Sequence, residues 1–506
     1  VTTRLALLGC VLAFQACSGW TPPWEAAPVP PAQPAKGAGR PGKAHAPNAT
    51  DVTDPAKLKA PAVRTPAART FPDVIVITLD TTRADHLGTY GYLRDTSPRL
   101  DAFAATSIVF DRLVVPMATT LPTHTSLFTG VYPIEHGITA NVEHGGLQFI
   151  PSDKLIPMAA WLSDAGYQTG GFTSSAPLNP QTGIERGFQV FTAPKGDLRP
   201  GKATTDDALG WLATTSPDVP MLMWVHYYDP HNPYAPDEKY HQEFLADARI
   251  EAWIDERQIE RLTKRPTGEP VRARPTINQY DAEIRTMDDQ FGRVLDALSA
   301  RGKLDDALVI VMGDHGEGLN QHGEPGHGLV WDEQLHAPLF IKAPGAAPRR
   351  VAATTSAVDV LATALALVDL PDEASILAQS SGQNALSPDA VTRPALSQMS
   401  ARQLQFGKQL TFALTDDRYK CTWVEGEPPK VWDLKEDPFE LKNPPDPHPE
   451  QEAACKEQGE KIVAAQRARA TELGAGKTQQ MDPAQIQMLK DLGYLDGPGA
   501  KGDGDE

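Results

Sequence analysis

Three apolar runs along the chain stop at polar clusters. They are Asp73-Val-Ile-Val-Ile-Thr-Leu-Asp80, Met221-Leu-Met-Trp-Val-His226-Tyr-Tyr-Asp229-Pro-His231-Asn-Pro233, and Asp305-Asp-Ala-Leu-Val-Ile-Val-Met-Gly-Asp314-His315-Gly316-Glu317. A run without polar alternation predicts a strand buried on both faces of a parallel sheet, and its last polar residue reaches the carboxyl edge, where open α/β folds keep their sites. Between the runs the period changes. Ile284, Met287, Phe291, Val294, Leu295 and Leu298 recur at helical spacing ahead of Arg301-Gly302, predicting an amphipathic helix that feeds the Asp314 strand. Ser152 to Ala165 carries a capping residue, then Leu155, Ile156, Ala159, Trp161 and Leu162, and closes at Gly166 before a strand-like Tyr167 to Thr173. This alternation predicts an α/β fold, a mostly parallel central sheet with helices on both faces. Residues 247–275, rich in Arg and Glu, predict an exposed insertion near the Asp229–His231 edge.

Composition narrows the partners. The chain has 506 residues, with 47 Lys+Arg against 65 Asp+Glu and a net charge of −18. That balance speaks against nucleic-acid binding, which draws its affinity from clustered cations on phosphates. At the start, Arg4 precedes the apolar stretch Leu5 to Phe14, which is too short to span a bilayer and reads as an export signal. Gln15-Ala16-Cys17 resembles a bacterial lipobox, with Phe14 departing from the usual Leu. The expectation is a lipidated Cys17 and an exported, membrane-attached protein on the periplasmic side or the cell surface; an ordinary secretory signal is the alternative. Residues 18–70 hold 11 Pro and 13 Ala in 53 positions with no Phe, Tyr or Ile, the composition of an unfolded tether. Cys421 and Cys455 stand far from the N-terminal pair Cys10 and Cys17, and a disulfide or two free thiols are both open readings.

The candidate chemistry lies at the run ends. Asp314-His315 offers a carboxylate and an imidazole, the donor set of Zn²⁺ or Mn²⁺, and Gly316 permits a sharp turn beside them. His327 follows within Gly326-His-Gly328. In Ala118-Thr-Thr120-Leu-Pro122-Thr-His124-Thr-Ser-Leu-Phe-Thr-Gly130, Pro122 suits a first helical turn, with Thr120 immediately before the helix. Thr120 is then either a helix cap or a hydroxyl placed for an anionic ligand or alkoxide.

Taken in order, strand-Asp80, Thr-Leu-Pro-Thr-His-(x)5-Gly, Pro-His-x-Pro, Asp-His-Gly-Glu and Gly-His-Gly resemble the sulfatase branch of the alkaline phosphatase superfamily. Arg418 to Trp423 and Val431 to Pro438 look like the family's small C-terminal α+β subdomain. The domain plan follows: a signal with lipobox over 1–17, a tether over 18–70, a catalytic domain over 71–345, the sheet's remainder and the subdomain over 346–480, and a short helix with an acidic Gly-rich tail over 481–506. The resemblance implies that Asp80, Asp314 and His315 ligate one divalent metal, Zn²⁺ or Mn²⁺ ahead of Ca²⁺ or Mg²⁺. It implies Thr120 as nucleophile and ligand, His231 and His327 on the transferred group, and His124 in place of the motif arginine as a catalytic residue. Asp229 is a candidate for helping a second ion. True sulfatases carry Cys or Ser at the position of Thr120, oxidised to formylglycine, and usually a second Asp at the position of Thr81. Threonine cannot form that aldehyde. An unmodified Thr looks instead like the superfamily's phosphotransferases and phosphodiesterases, so the expected activity is cleavage or transfer of a phosphoester on a small-molecule, lipid or glycan substrate. A sulfuric ester hydrolase without formylglycine is the alternative, and an inactive binding lipoprotein of the same fold is a further one of another class.

Overall fold

The computed structural model describes residues 71–142, 147–195, 199–259, 273–388, 393–474, 476–481 and 483–491. The signal, the tether and the acidic tail lie outside them. The Asp73–Asp80 run forms β1 (Val74–Leu79), the Met221 run β6 (Met221–Tyr227) and the Asp305 run β7 (Leu308–Gly313). β1 lies between β6 and β7 and is parallel to both. The nine-stranded sheet is completed by β2 (Ile108–Val114), β4 (Gln168–Thr173), β5 (Val190–Thr192), β8 (His336–Lys342), β9 (Arg349–Val351) and β10 (Thr355–Ser356). Its order is β10-β2-β8-β7-β1-β6-β4-β5, with β9 also against β2. β8 runs antiparallel to both of its neighbours, and the other pairings are parallel.

Period two along each strand divides its side chains between two cores. Val74 and Val76 face one core while Ile75, Ile77 and Leu79 face the other, and on β7 Leu308, Ile310 and Met312 oppose Val309 and Val311. On the first face pack the helices Thr120–Thr129, Met158–Asp164 and Asp359–Leu365. On the second pack Pro98–Ala104, Gly201–Thr214, Ile250–Glu256 and the long helix Ala273–Ala300. In this last helix Ile284, Met287, Phe291, Val294, Leu295 and Leu298 are buried, as their spacing predicted.

Two local expectations need correction. The helix expected from Ser152 begins only at Met158, because Pro157 precedes it, and Ile156 stays 41% exposed. Of the insertion expected to be exposed, Ile250, Trp253 and Ile254 are buried in the core. Their i, i+3, i+4 spacing makes an apolar stripe among charges; residues 260–272 lie outside the described residues.

After the main sheet, β11 (Ala395–Gln398), β12 (Thr411–Thr415), β13 (Tyr419–Val424) and β14 (Lys430–Asp433) form an antiparallel sheet with a core of its own, shared with the helix Pro449–Leu473. Cys421 on β13 and Cys455 on that helix form a disulfide, Cα to Cα 6.4 Å. A ribbon of β3 (Leu147–Ile150) and β15 (Lys477–Gln480) and the helix Pro483–Asp491 close the described chain. No helix among the described residues is long and apolar enough to cross a membrane.

Candidate active site

At the carboxyl ends of β1 and β7 the strand-terminal residues Asp80, Asp314 and His315 meet, all fully buried, with one ligand atom from each inside a 4.8 Å span. Asp314 Oδ1 accepts the N–H groups of Thr81 (3.1 Å) and His315 (2.7 Å), while its Oδ2 and both oxygens of Asp80 have no hydrogen-bond partner. Buried carboxylates are ordinarily paired. Here burial pushes both acids well above the usual carboxylate range, and for Asp314 the neighbouring Asp80 adds to the effect. His315 donates Nδ1–H to the Gly316 carbonyl at 2.9 Å, which leaves an Nε2 lone pair 3.8 Å from Asp80 Oδ1 and 3.7 Å from Asp314 Oδ2. A divalent cation satisfies Asp80 Oδ1, Asp314 Oδ2 and His315 Nε2 at once, so the residues present fit a metal.

The turns that aim these groups are built tightly. Thr81 holds φ +47°, a conformation that costs a β-branched residue roughly 1–3 kcal/mol. It is held there by Asp314 on its N–H and by the Tyr280 hydroxyl, which donates to its carbonyl at 2.6 Å. Gly316 is needed for space rather than for φ, since a Cβ there would stand 2.0 Å from the Glu333 carbonyl oxygen. Arg83, buried, ties the β1 turn to the β7 turn through the Glu317 carbonyl and the Gln321 side chain.

Thr120 is the first residue of its helix, not the residue before it; Thr119 takes the cap position without capping through its side chain. The Thr120 hydroxyl lies 3.5 Å from His315 Nε2. The helix end offers little to an anion, because the Leu121 N–H donates to Asn141 Oδ1, Pro122 has no N–H, and the Thr123 N–H donates to Thr119. His124, expected among the catalytic residues, is fully buried with both nitrogens engaged inside the protein, Nδ1 at 2.8 Å from the Thr120 carbonyl and Nε2 at 2.9 Å from Thr78 Oγ1. It supports Thr120 from behind. Asp229 is likewise occupied, accepting the Gly201 N–H at 3.0 Å.

His231 and His327 come together at the site. His231 donates Nδ1–H to the Asn232 carbonyl and His327 to the Ala118 carbonyl, so their Nε2 atoms face one another at 3.3 Å. The His327 ring lies 4.3 Å from that of His315. Burial pushes His327 down to about 4 and, with His327 beside it, His231 down to about 3. Sequence reasoning missed Thr78, Trp224 and His226, which line the site behind Asp80. His226 Nε2 stands 3.3 Å from Asp80 Oδ2. The available signal was polarity inside an apolar run, at strand positions that share Asp80's face.

A buried Asp/Asp/His cluster with a hydroxyl lies at the carboxyl edge of a mostly parallel sheet, beside a small antiparallel subdomain, in an alkaline-phosphatase-like fold. The chain belongs to the sulfatase family, whose model, described as Sulfatase, matches residues 72–370. It is 26% identical to the ulvan-active sulfatase of Formosa agariphila over 340 residues, 60% of this chain and 63% of that one, and so spans less than two thirds of that relative's length. Solved chains share the fold. BT4656, determined in complex with its substrate D-glucosamine-2-N,6-O-disulfate, matches at a TM-score of 0.60 and 18% identity, covering 80% of this chain and 99% of that one. The phosphonate monoester hydrolase of Agrobacterium radiobacter matches at 0.59 and 21%, covering 81% and 97%.

Proposed function

We propose that this sulfatase-family ester hydrolase is a metal-dependent phosphoester hydrolase or phosphotransferase with Thr120 as nucleophile. The observation that carries the reading is an unmodifiable hydroxyl, Thr120 Oγ1, beside the orphaned acceptors of Asp80, Asp314 and His315. A divalent cation bound by these four residues, Zn²⁺ or Mn²⁺ by the donor set, would supply Lewis acidity, favouring the alkoxide and offsetting charge on the ester's nonbridging oxygens. Thr120 Oγ1 attacks phosphorus in line; the P–Oγ1 bond forms as the bond to the leaving oxygen breaks. The His231 and His327 Nε2 atoms are acceptors at neutral pH, so this pair takes up the hydroxyl's proton and passes it to the leaving oxygen. Water or an acceptor alcohol then displaces Thr120. His124 holds the Thr120 carbonyl and thereby the nucleophile's backbone.

A second reading, a sulfuric ester hydrolase, is favoured by the names of the ulvan-active sulfatase and of the BT4656 substrate. The test is turnover of chromogenic phosphate mono- and diesters, a phosphonate and a sulfate ester by the full chain with defined metals, beside Thr120→Ala. Phosphoester turnover lost in the variant, with a phosphoryl adduct trapped on the Thr120 peptide, is the expected result. Thr120-dependent sulfate turnover would overturn the phosphoester reading, and no turnover of any ester would favour the inactive binding protein. We also infer export and lipid attachment at Cys17; absence of lipid labelling at that cysteine would overturn the attachment.

A further inference from the structure

His226 has no task in the mechanism above, yet its surroundings fix where its hydrogen sits. His124 Nδ1 faces the Thr120 carbonyl, an acceptor only, so Nδ1 carries the hydrogen. An imidazole with its one hydrogen on Nδ1 offers a lone pair at Nε2, which faces Thr78 Oγ1 at 2.9 Å. The hydroxyl's only hydrogen goes there. Trp224 Nε1, a donor only, gives its hydrogen to the same oxygen at 2.9 Å. His226 Nδ1, 3.1 Å from Thr78 Oγ1, is left one role, that of donor, and its Nε2 keeps a bare lone pair. That Nε2 is buried without a hydrogen-bond partner, and so is Asp80 Oδ2, 3.3 Å away.

Two acceptors facing each other inside a protein repel unless a proton or a metal ion joins them. Ligands bound to Zn²⁺ at about 2.0–2.2 Å in a tetrahedron stand about 3.3–3.6 Å apart, the spacing found here. The buried Ser175 hydroxyl stands beside the same carboxylate and favours its charged form. Asp80 Oδ1, by contrast, looks toward His315. We propose that Asp80 bridges two divalent cations, one on its Oδ1 side with Asp314, His315 and Thr120, and a second on its Oδ2 side held by His226 Nε2 with the Ser175 hydroxyl alongside. The inference rests on the metal reading of the first site and goes beyond its single ion. An imidazole in the second site selects Zn²⁺ or Mn²⁺ over Ca²⁺ or Mg²⁺.

The test is metal content. The full chain is stripped with chelator, dialysed against buffered Zn²⁺ and assayed by elemental mass spectrometry. The expected result is about two ions per wild-type chain and about one for His226→Ala, with the chelated proteins melting alike. One ion in the wild type, or two in the variant, overturns the second site alone; none in the wild type overturns the first-site reading with it. Should His226→Ala fail to fold, the Mn²⁺-loaded wild type decides by electron paramagnetic resonance. A spin-coupled pair supports the bridge, and an isolated six-line spectrum overturns it.

Discussion

Two buried carboxylate–imidazole clusters flank the loop that follows β1, and they are built on opposite principles. In one, Asp281 of the long helix receives His86 Nδ1 at 2.8 Å on one oxygen and the Tyr92 hydroxyl and Arg94 Nη1, each at 2.7 Å, on the other. Arg94 matches its charge, and both groups are fully buried. In the other, Asp80 and Asp314 are as deeply buried, yet among the described residues no Lys or Arg is hydrogen-bonded to either, and three of their four oxygens have no hydrogen-bond partner there. In the first cluster both oxygens of the acid are paired within the protein, and the acid fastens the loop to the helix. The second is complete only with cations from outside, so the depth of a carboxylate says little about its role; what its oxygens lack says more.

The largest effect that separates the clusters is on chemistry. Thr120→Ala is expected to lower ester turnover on the order of 10⁴-fold while leaving the melting temperature in chelator unchanged; turnover within tenfold of wild type sinks the nucleophile assignment. Next comes stability, with opposite signs in the two places. Asp281→Asn strands the buried Arg94 charge and is expected to cost about 3–5 kcal/mol by denaturant titration. Asp80→Asn or Asp314→Asn removes repulsion from a metal-free site, so the stripped protein is expected to hold or gain stability while losing its metal. A loss of similar size in both clusters would show that the site acids are structural.

The same contrast governs pH. Burial raises Asp80 and Asp314 in the folded chain and takes Glu317, which follows the metal-ligand turn, up to about 8. A carboxyl with a raised folded pKa binds its proton more tightly when folded, so its contribution is fully present below the unfolded value. It is lost as pH rises through the folded one. Their share of the metal-free chain's stability is therefore expected to fall between about pH 4 and 8, by at most about 1.4 kcal/mol per pH unit for each group, read as the difference between the wild type and Glu317→Gln because the buried His231 and His327, held low, act with the opposite sign. Saturating Zn²⁺ is expected to flatten that slope. A difference between wild type and Glu317→Gln that rises over this window would contradict the reading of this acid as raised by burial.

How much of this was legible in the chain itself differs by residue. Asp80, Asp314, His315 and Thr120 stand at the ends of strand or helix patterns, where a change of period marks them. The structure brings these four together. His226 and Thr78 stand inside apolar runs and become a pair only through the β1–β6 register, which sets Thr78 against His226. No local pattern names a strand's neighbour. The Cys421–Cys455 bridge stayed open for the same reason, since it depends on how β13 meets a helix beyond it. His124 sits in its motif, and both of its ring nitrogens are engaged in hydrogen bonds inside the protein. Trp253 was hidden by the charges on either side of it, although its helical spacing to Ile250 and Ile254 was readable.

The finest test of the contrast is Thr78→Val, which keeps the side chain's shape and removes one hydroxyl. In the Asp281 cluster each donor acts on the carboxylate directly; behind Asp80 a single oxygen orders Trp224, His124 and His226 at once. Its loss leaves three buried ring nitrogens without a partner there and is expected to cost about 1–3 kcal/mol. The tautomer of His226 is then held only by the Thr78 backbone, so the bare Nε2 facing Asp80 is less firmly fixed. The second cation is expected to bind more weakly than the first, whose Asp314 and His315 ligands are ordered by backbone groups that the substitution does not touch. Zinc titration of the variant with a chromophoric competitor checks this. Equal weakening of both steps would mean that the Thr78 relay orders the whole site rather than its His226 side.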